Sequence, residues 1–192
     1  MQNRQGLELR MYFFVPYQLT GIQQAIQAGH AMGEYALKYG RRNPDHIIWD
    51  FLSYYKTWMV FNGGTTNSSY DFEGVPEGDL NKIHLAFKDS GIEFSDFYEP
   101  DLNNALTAVC FIADARVFDK ENYPDFEKIF NPAQAKELIR NNEYNLHLSD
   151  EEFDARYDPT IEYNKYYEQW FNNVGGKDVV FMRDILKGKR FA

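Results

Sequence analysis

Gln23, Gln27, His30 and Glu34 follow one another at steps of four, three and four, so on an α-helix they share one stripe. Amides and an imidazole are an unusual choice for a solvated face, where Lys and Glu dominate. Together they could move a proton and hold a polar substrate. A solvated stripe is the competing reading of the same spacing. Thr20-Gly21-Ile22-Gln23, at the head of this stretch, fits a capping box in which the Thr20 hydroxyl and the Gln23 side chain satisfy each other's backbone N–H groups. A helix that starts this way presents free N–H groups and the positive end of its dipole beside Thr20 and Gly21, which suits an anion.

The elements that would position these residues can be read in order. LELRMYFF, ending at Phe14, is an apolar strand, and PYQLTG is a turn into a helix that runs to Tyr39. Ile22, Ala25, Ile26, Gly29, Met32, Gly33 and Ala36 fill most of the rest of that helix, and the small ones would let it lie close against a sheet. Gly40 fits a helix stop and Pro44 a new first turn. Asp45 to Tyr55 then has helical spacing, with His46 read as a surface residue. Lys56 to Asn62 reads as a strand and Gly63 to Gly78 as a long loop, whose Gly63-Gly64 turn could face N–H groups toward an anion but lacks the Lys of a P-loop. A helix capped by Asp79 and stopped by Gly91 follows, with His84 read as a satisfied histidine. Strands at 92–98 and 105–113 flank a short turn at 99–104, which makes an antiparallel hairpin. This order implies an α/β fold over 1–114: a three-layer sandwich with a mixed four-stranded sheet flanked by helices.

From residue 115 the composition shifts to Tyr, Asn, Asp and Glu, and 115–192 reads as a mostly helical extension ending in a short basic tail. Its pieces are PDFEKIF, PAQAKELIR, SDEEFDARY and TIEYNKYYEQWFNN, and a short amphipathic strand or helix closes the chain. Tyr163, Tyr166, Tyr167, Trp170 and Phe171 form an aromatic stripe. Bases could stack on it, but with only Lys165 interleaved, packing against the domain is the preferred reading.

The chain of 192 residues carries a net charge of −9. Residues 1–114 hold 8 Lys and Arg against 14 Asp and Glu, 115–176 hold 7 against 13, and 177–192 hold 5 against 2. Such a body is a poor match for a phosphate backbone, whose affinity comes from displaced counterions. Cys110, the one cysteine, sits in an apolar strand as a small hydrophobe and excludes disulfides and cysteine-rich metal sites. No apolar run is long enough to span a bilayer and no leader pattern opens the chain, so a soluble, cytoplasmic protein without membrane partners is expected. No metal or cofactor is expected.

Gln27-Ala28-Gly29-His30-Ala31, with the apolar pattern on both sides, and Glu99-Pro100-Asp101 followed by Leu106-Thr107-Ala108-Val109 resemble the type II peptidyl-tRNA hydrolases. The likeness covers 9–39 and 57–113. It implies four mixed strands flanked by helices and hydrolysis of the ester between a peptide and the terminal ribose of tRNA. It points to His30, Gln27 and Glu99 as catalytic, with His30 as general base oriented by Glu34 or Glu99. Thr20, Gly21, Gln23, Glu34, Asp101 and Thr107 would hold substrate. The family's lysine falls on Gln23, its later acidic position on Glu99, and 115–176 has no counterpart. The alternative is an inactive domain that binds a protein, or itself, through 115–176.

Overall fold

The computed structural model describes residues 6–133, 136–137 and 158–192. The expected pieces PAQAKELIR and SDEEFDARY lie largely outside the described residues. The architecture is an open, mixed four-stranded sheet covered by helices, with a helical C-terminal part. Strands β1 (Leu9–Pro16), β2 (Thr57–Gly64), β3 (Ser95–Glu99) and β4 (Ala105–Asp114) lie in the order β2-β1-β4-β3. β1 runs parallel to β2 and antiparallel to β4, which is antiparallel to β3. The parallel pair needs a crossover, and helix α1 (Gly21–Tyr35), α2 (Ile47–Asp50) and the π-helical turns that extend them supply it.

β1 is central, so both of its faces are buried and its residues read as one apolar run. Met11, Phe13 and Val15 face α1, together with Ala28, Ala31, Tyr35, Ile48 and Phe51. Tyr12 and Phe14 face the other layer, where α3 (Asp79–Ser90) contributes Leu80, Ile83 and Phe87. The segment after β4 joins that second layer. Helices α4 (Ala115–Phe118), α5 (Phe126–Ile129), α6 (Pro159–Val174) and α7 (Lys177–Leu186) place Val117, Phe126, Trp170, Val174, Val179 and Met182 in the same core as Phe87 and Phe111. The aromatic stripe of α6 therefore packs inward: Phe126 meets Tyr163, Tyr167 and Trp170, and Phe130 meets Tyr166.

The basic tail pairs with the free edge of β2. Asn62 N–H donates to the Arg190 carbonyl at 2.9 Å, Ala192 N–H donates to that of Val60 at 3.0 Å, and the Phe61 and Phe191 rings stack at 4.8 Å. Covering a sheet edge in this way removes a site of unwanted strand pairing.

Two local expectations change. His46 is buried, not on the surface: Nδ1 accepts from the Ile48 N–H at 3.2 Å, and Nε2 lies 3.0 Å from Glu93. Its ring caps α2 while tying the helix to the segment before β3. In α1 the glycines do not approach the sheet; Ala28 and Ala31 do, while a Cβ at Gly29 or Gly33 would meet nothing within 4 Å. Cys110 fits the packing role. It is fully buried, and burial pushes its thiol far above the ordinary range. Ellman's reagent is expected to leave Cys110 untouched in native protein and to react with it fully in denaturant; rapid labelling without denaturant would contradict this placement.

Candidate functional site

Strand directions bring three segments to one end of the sheet. They are the start of α1 after β1, the loop after β2, and the 99–104 turn between β3 and β4, where Pro100–Leu102 forms a 3-10 turn and Asn103 and Asn104 adopt positive φ. α1 lies over β3 and β4, so its Gln27 and His30 come down beside the hairpin.

Gln27 is the centre of the arrangement. It is only 6% exposed, yet both ends of its amide are engaged. The Thr107 hydroxyl donates to Gln27 Oε1 at 2.7 Å, and Gln27 Nε2 donates to Glu99 Oε2 at 2.6 Å. A buried amide demands such partners, and a chain from hydroxyl through amide to carboxylate fixes each group's orientation. Glu99 Oε1 takes no part in this chain.

Thr107 reaches Gln27 because of an irregularity in the sheet. Phe97 pairs with Ala108 and Tyr98 with Leu106, so Thr107 is the extra residue of a β-bulge. Simple alternation from Ala108 and Cys110 would send Thr107 to the α3 side; the bulge turns it to the α1 side instead.

His30 stands exposed one helical turn along α1 from Gln27, its ring 4.5 Å from that of Phe97. Among the described residues neither Glu34 nor Glu99 is hydrogen-bonded to it. Glu34 is exposed and borders a shallow groove along β3 with Lys38 and Phe97, while Asp101 is exposed in the turn itself. Thr20 and Gln23 form the expected capping box: Gln23 N–H donates to Thr20 Oγ1 at 3.4 Å, and Thr20 N–H donates to Gln23 Oε1 at 3.0 Å. Gln23 is thus turned toward its own helix start, with Gly21 exposed beside it.

The loop after β2 already holds a carboxylate of its own. Asp79 Oδ2 accepts from the Thr65 N–H at 3.2 Å and its hydroxyl at 3.1 Å, and a Cβ at Gly64 would lie 2.5 Å from Asp79. The anion niche suggested by Gly63-Gly64 is filled from within the chain. Asp79 does not cap α3; Gly78 occupies that position.

On the other face of β3, His84 Nε2 lies 2.7 Å from Asp96. The residues read from sequence did not include this pair's carboxylate. The hydrogen bond from His84 holds the Asp96 carboxyl below its usual range, against the opposing effect of burial. A carboxyl with a depressed folded-state pKa adds stability above the unfolded value of about 4 and loses it as pH falls further. Asp96→Asn is therefore expected to flatten the acid limb of a stability–pH profile below about pH 4. An unchanged acid limb would show that the pair contributes nothing.

Among the described residues no group of three or more His, Cys, Asp or Glu is placed to hold a metal ion, and no helix is long and apolar enough to cross a membrane. No family model matches the chain, and no curated protein matches it.

Proposed function

We propose that this chain hydrolyses an ester at the Gln27–Glu99–Thr107 site, with peptidyl-tRNA as the substrate class. The observation that carries the reading is the hydrogen-bonded chain Thr107–Gln27–Glu99, which joins helix, bulged strand and hairpin turn at one end of the sheet. The residues that form it are those on which the resemblance to type II peptidyl-tRNA hydrolases rests, and the sheet is the mixed four-stranded one that the resemblance implies.

In this reading Glu99, held through Oε2, accepts a proton from water through Oε1. The resulting hydroxide adds to the ester carbonyl, the bond to the ribose oxygen breaks, and Glu99 returns the proton to that oxygen. The geometry favours Glu99 over His30 as the base, because Gln27 orients Glu99 while His30 rests on Phe97 with no hydrogen-bonded carboxylate to orient it among the described residues. His30 borders the approach to the carboxylate. With the Thr20 N–H taken by Gln23 Oε1, the Gly21 N–H is the candidate for a terminal phosphate.

A second reading, an inactive interaction domain, is favoured by the charge around the site. Glu99 and Asp101, and in the loop after β2 at the same end Asp71, Glu73 and Glu77, are all acidic, and such a surface repels a polyanion. Deacylation of an N-blocked aminoacyl-tRNA, run beside a tRNA titration at two salt concentrations, separates the two. Turnover with salt-sensitive binding supports the hydrolase; neither turnover nor salt-sensitive binding supports the interaction domain.

A further inference from the structure

The face of α1, and of the π-helical turn Ala36–Gly40 that continues it, is apolar where it points away from the sheet. Ile22, Ile26 and Leu37 are 77%, 48% and 59% exposed, and Gly29 and Gly33 lie among them with open space where a Cβ would stand. These five positions follow the helical repeat on the side opposite Ala28, Ala31 and Tyr35. Water should face charge at such a position, all the more on a chain that carries −9 overall.

We propose that this face binds a second copy of the chain, α1 against α1 in antiparallel orientation, with the two-fold axis passing between Gly29 and His30. The sequence of the stripe is self-complementary about that point. Ile22 of each copy meets Leu37 of the other, and Ile26 faces the gap left by Gly33, which lets the two backbones approach closely. Charge selects the same orientation. The residues after α1 add the exposed Arg41 and Arg42, and Lys38 held on the Phe94 carbonyl, against one exposed acid, Glu34, in its last turn, while the N-terminal half of α1 lies beside the turn bearing Glu99 and Asp101. Antiparallel pairing sets the basic end of one copy beside the acidic end of the other and opposes the two helix dipoles; parallel pairing would set like against like.

The stripe extends over sixteen residues from Ile22 to Leu37, roughly 22 Å of helix at ~1.5 Å rise per residue. A contact of that length buries less than the ~800 Å² per partner of a stable complex. The dimer is accordingly a weak, exchanging one, formed in the micromolar range. It does not rest on the hydrolase reading, since Gln27 and Glu99 lie on the flank of α1 and not on its outer face.

Sedimentation velocity on the full chain, from low to several hundred micromolar, tests it with two variants. Gly33→Leu has room in the monomer and improves helix propensity, so it leaves the fold intact, yet it fills the gap that Ile26 needs. Ile26→Glu places a charge in the stripe. The parent should shift from monomer to dimer with concentration, less so at high salt. Gly33→Leu should abolish the shift and Ile26→Glu should weaken it by about tenfold or more, with circular dichroism unchanged in both. A parent that stays monomeric throughout, or a dimer that survives Gly33→Leu, overturns the proposal.

Discussion

Glu99→Gln is expected to lower the rate of peptidyl-tRNA deacylation by roughly 10²–10⁴-fold, the usual contribution of a positioned general base, while leaving the thermal midpoint nearly unchanged. Glutamine keeps the shape and an acceptor for the Gln27 Nε2–H group, so the 2.6 Å contact is replaced by a neutral one. Only the capacity to take a proton is lost. His30→Ala sets the comparison. A loss much smaller than that of Glu99→Gln is expected, because the imidazole stands exposed against Phe97. If His30→Ala proves the more damaging of the two, the base belongs on α1 and Glu99 has a positioning role.

The largest effect on stability is expected at Arg183. This α7 side chain is only 7% exposed and holds α4 and the segment between α4 and α5 by direct donation. Its Nε donates to the Arg116 carbonyl at 2.9 Å, Nη2 to that of Tyr123 at 2.7 Å, and Nη1 reaches Asp125 at 3.2 Å. Burial pulls its pKa down against the attraction of Asp125, yet an arginine stays charged at any pH the fold survives. Arg183→Met would strand the Arg116 and Tyr123 carbonyls, while Lys120 still pairs with Asp125, at a cost of about 1–3 kcal/mol for each carbonyl. For a chain of this size that lowers the thermal midpoint by roughly 10 °C. Arg183→Lys should recover little, since one ammonium cannot span the same set of acceptors. A midpoint within a degree or two of the parent's would mean that the segment is held by its apolar contacts alone.

Much of this was legible in the sequence, for definite reasons. Central strands declare themselves as apolar runs, and the capping box at Thr20 and Gln23 is a local pattern that needs no tertiary partner. Period-two spacing and a polar turn likewise mark the hairpin around Glu99. Other features depend on contacts that no local pattern carries. The bulge that aims Thr107 at Gln27 arises from pairing register, and alternation alone would have put that hydroxyl on the opposite face. His46 reads as a surface residue until Glu93, far away in sequence, comes to meet it. The glycines of α1 fit equally well against a sheet or outward; only the packing of Ala28 and Ala31 against the sheet decides. Arg183 lies in an amphipathic stretch, and nothing local foretells that the Arg116 and Tyr123 carbonyls and the Asp125 carboxylate will converge on it. The Asp79 carboxylate beneath Thr65 is a similar case, since a residue that looks like a helix cap serves the preceding loop.

In the proposed mechanism the buried Gln27 amide holds the Glu99 carboxylate in position to hydrolyse an ester. Gln27→Leu tests it most directly, because leucine has a similar volume and can neither accept from Thr107 nor donate to Glu99. The measurement is the single-turnover release of peptide from N-acetyl-aminoacyl-tRNA by the parent and by Gln27→Leu, both first checked as folded by circular dichroism. The expected result is release by the parent and a rate at least about tenfold lower in the variant, the loss of one oriented hydrogen bond to a charged group. Equal rates, or no release by the parent at all, would contradict the account.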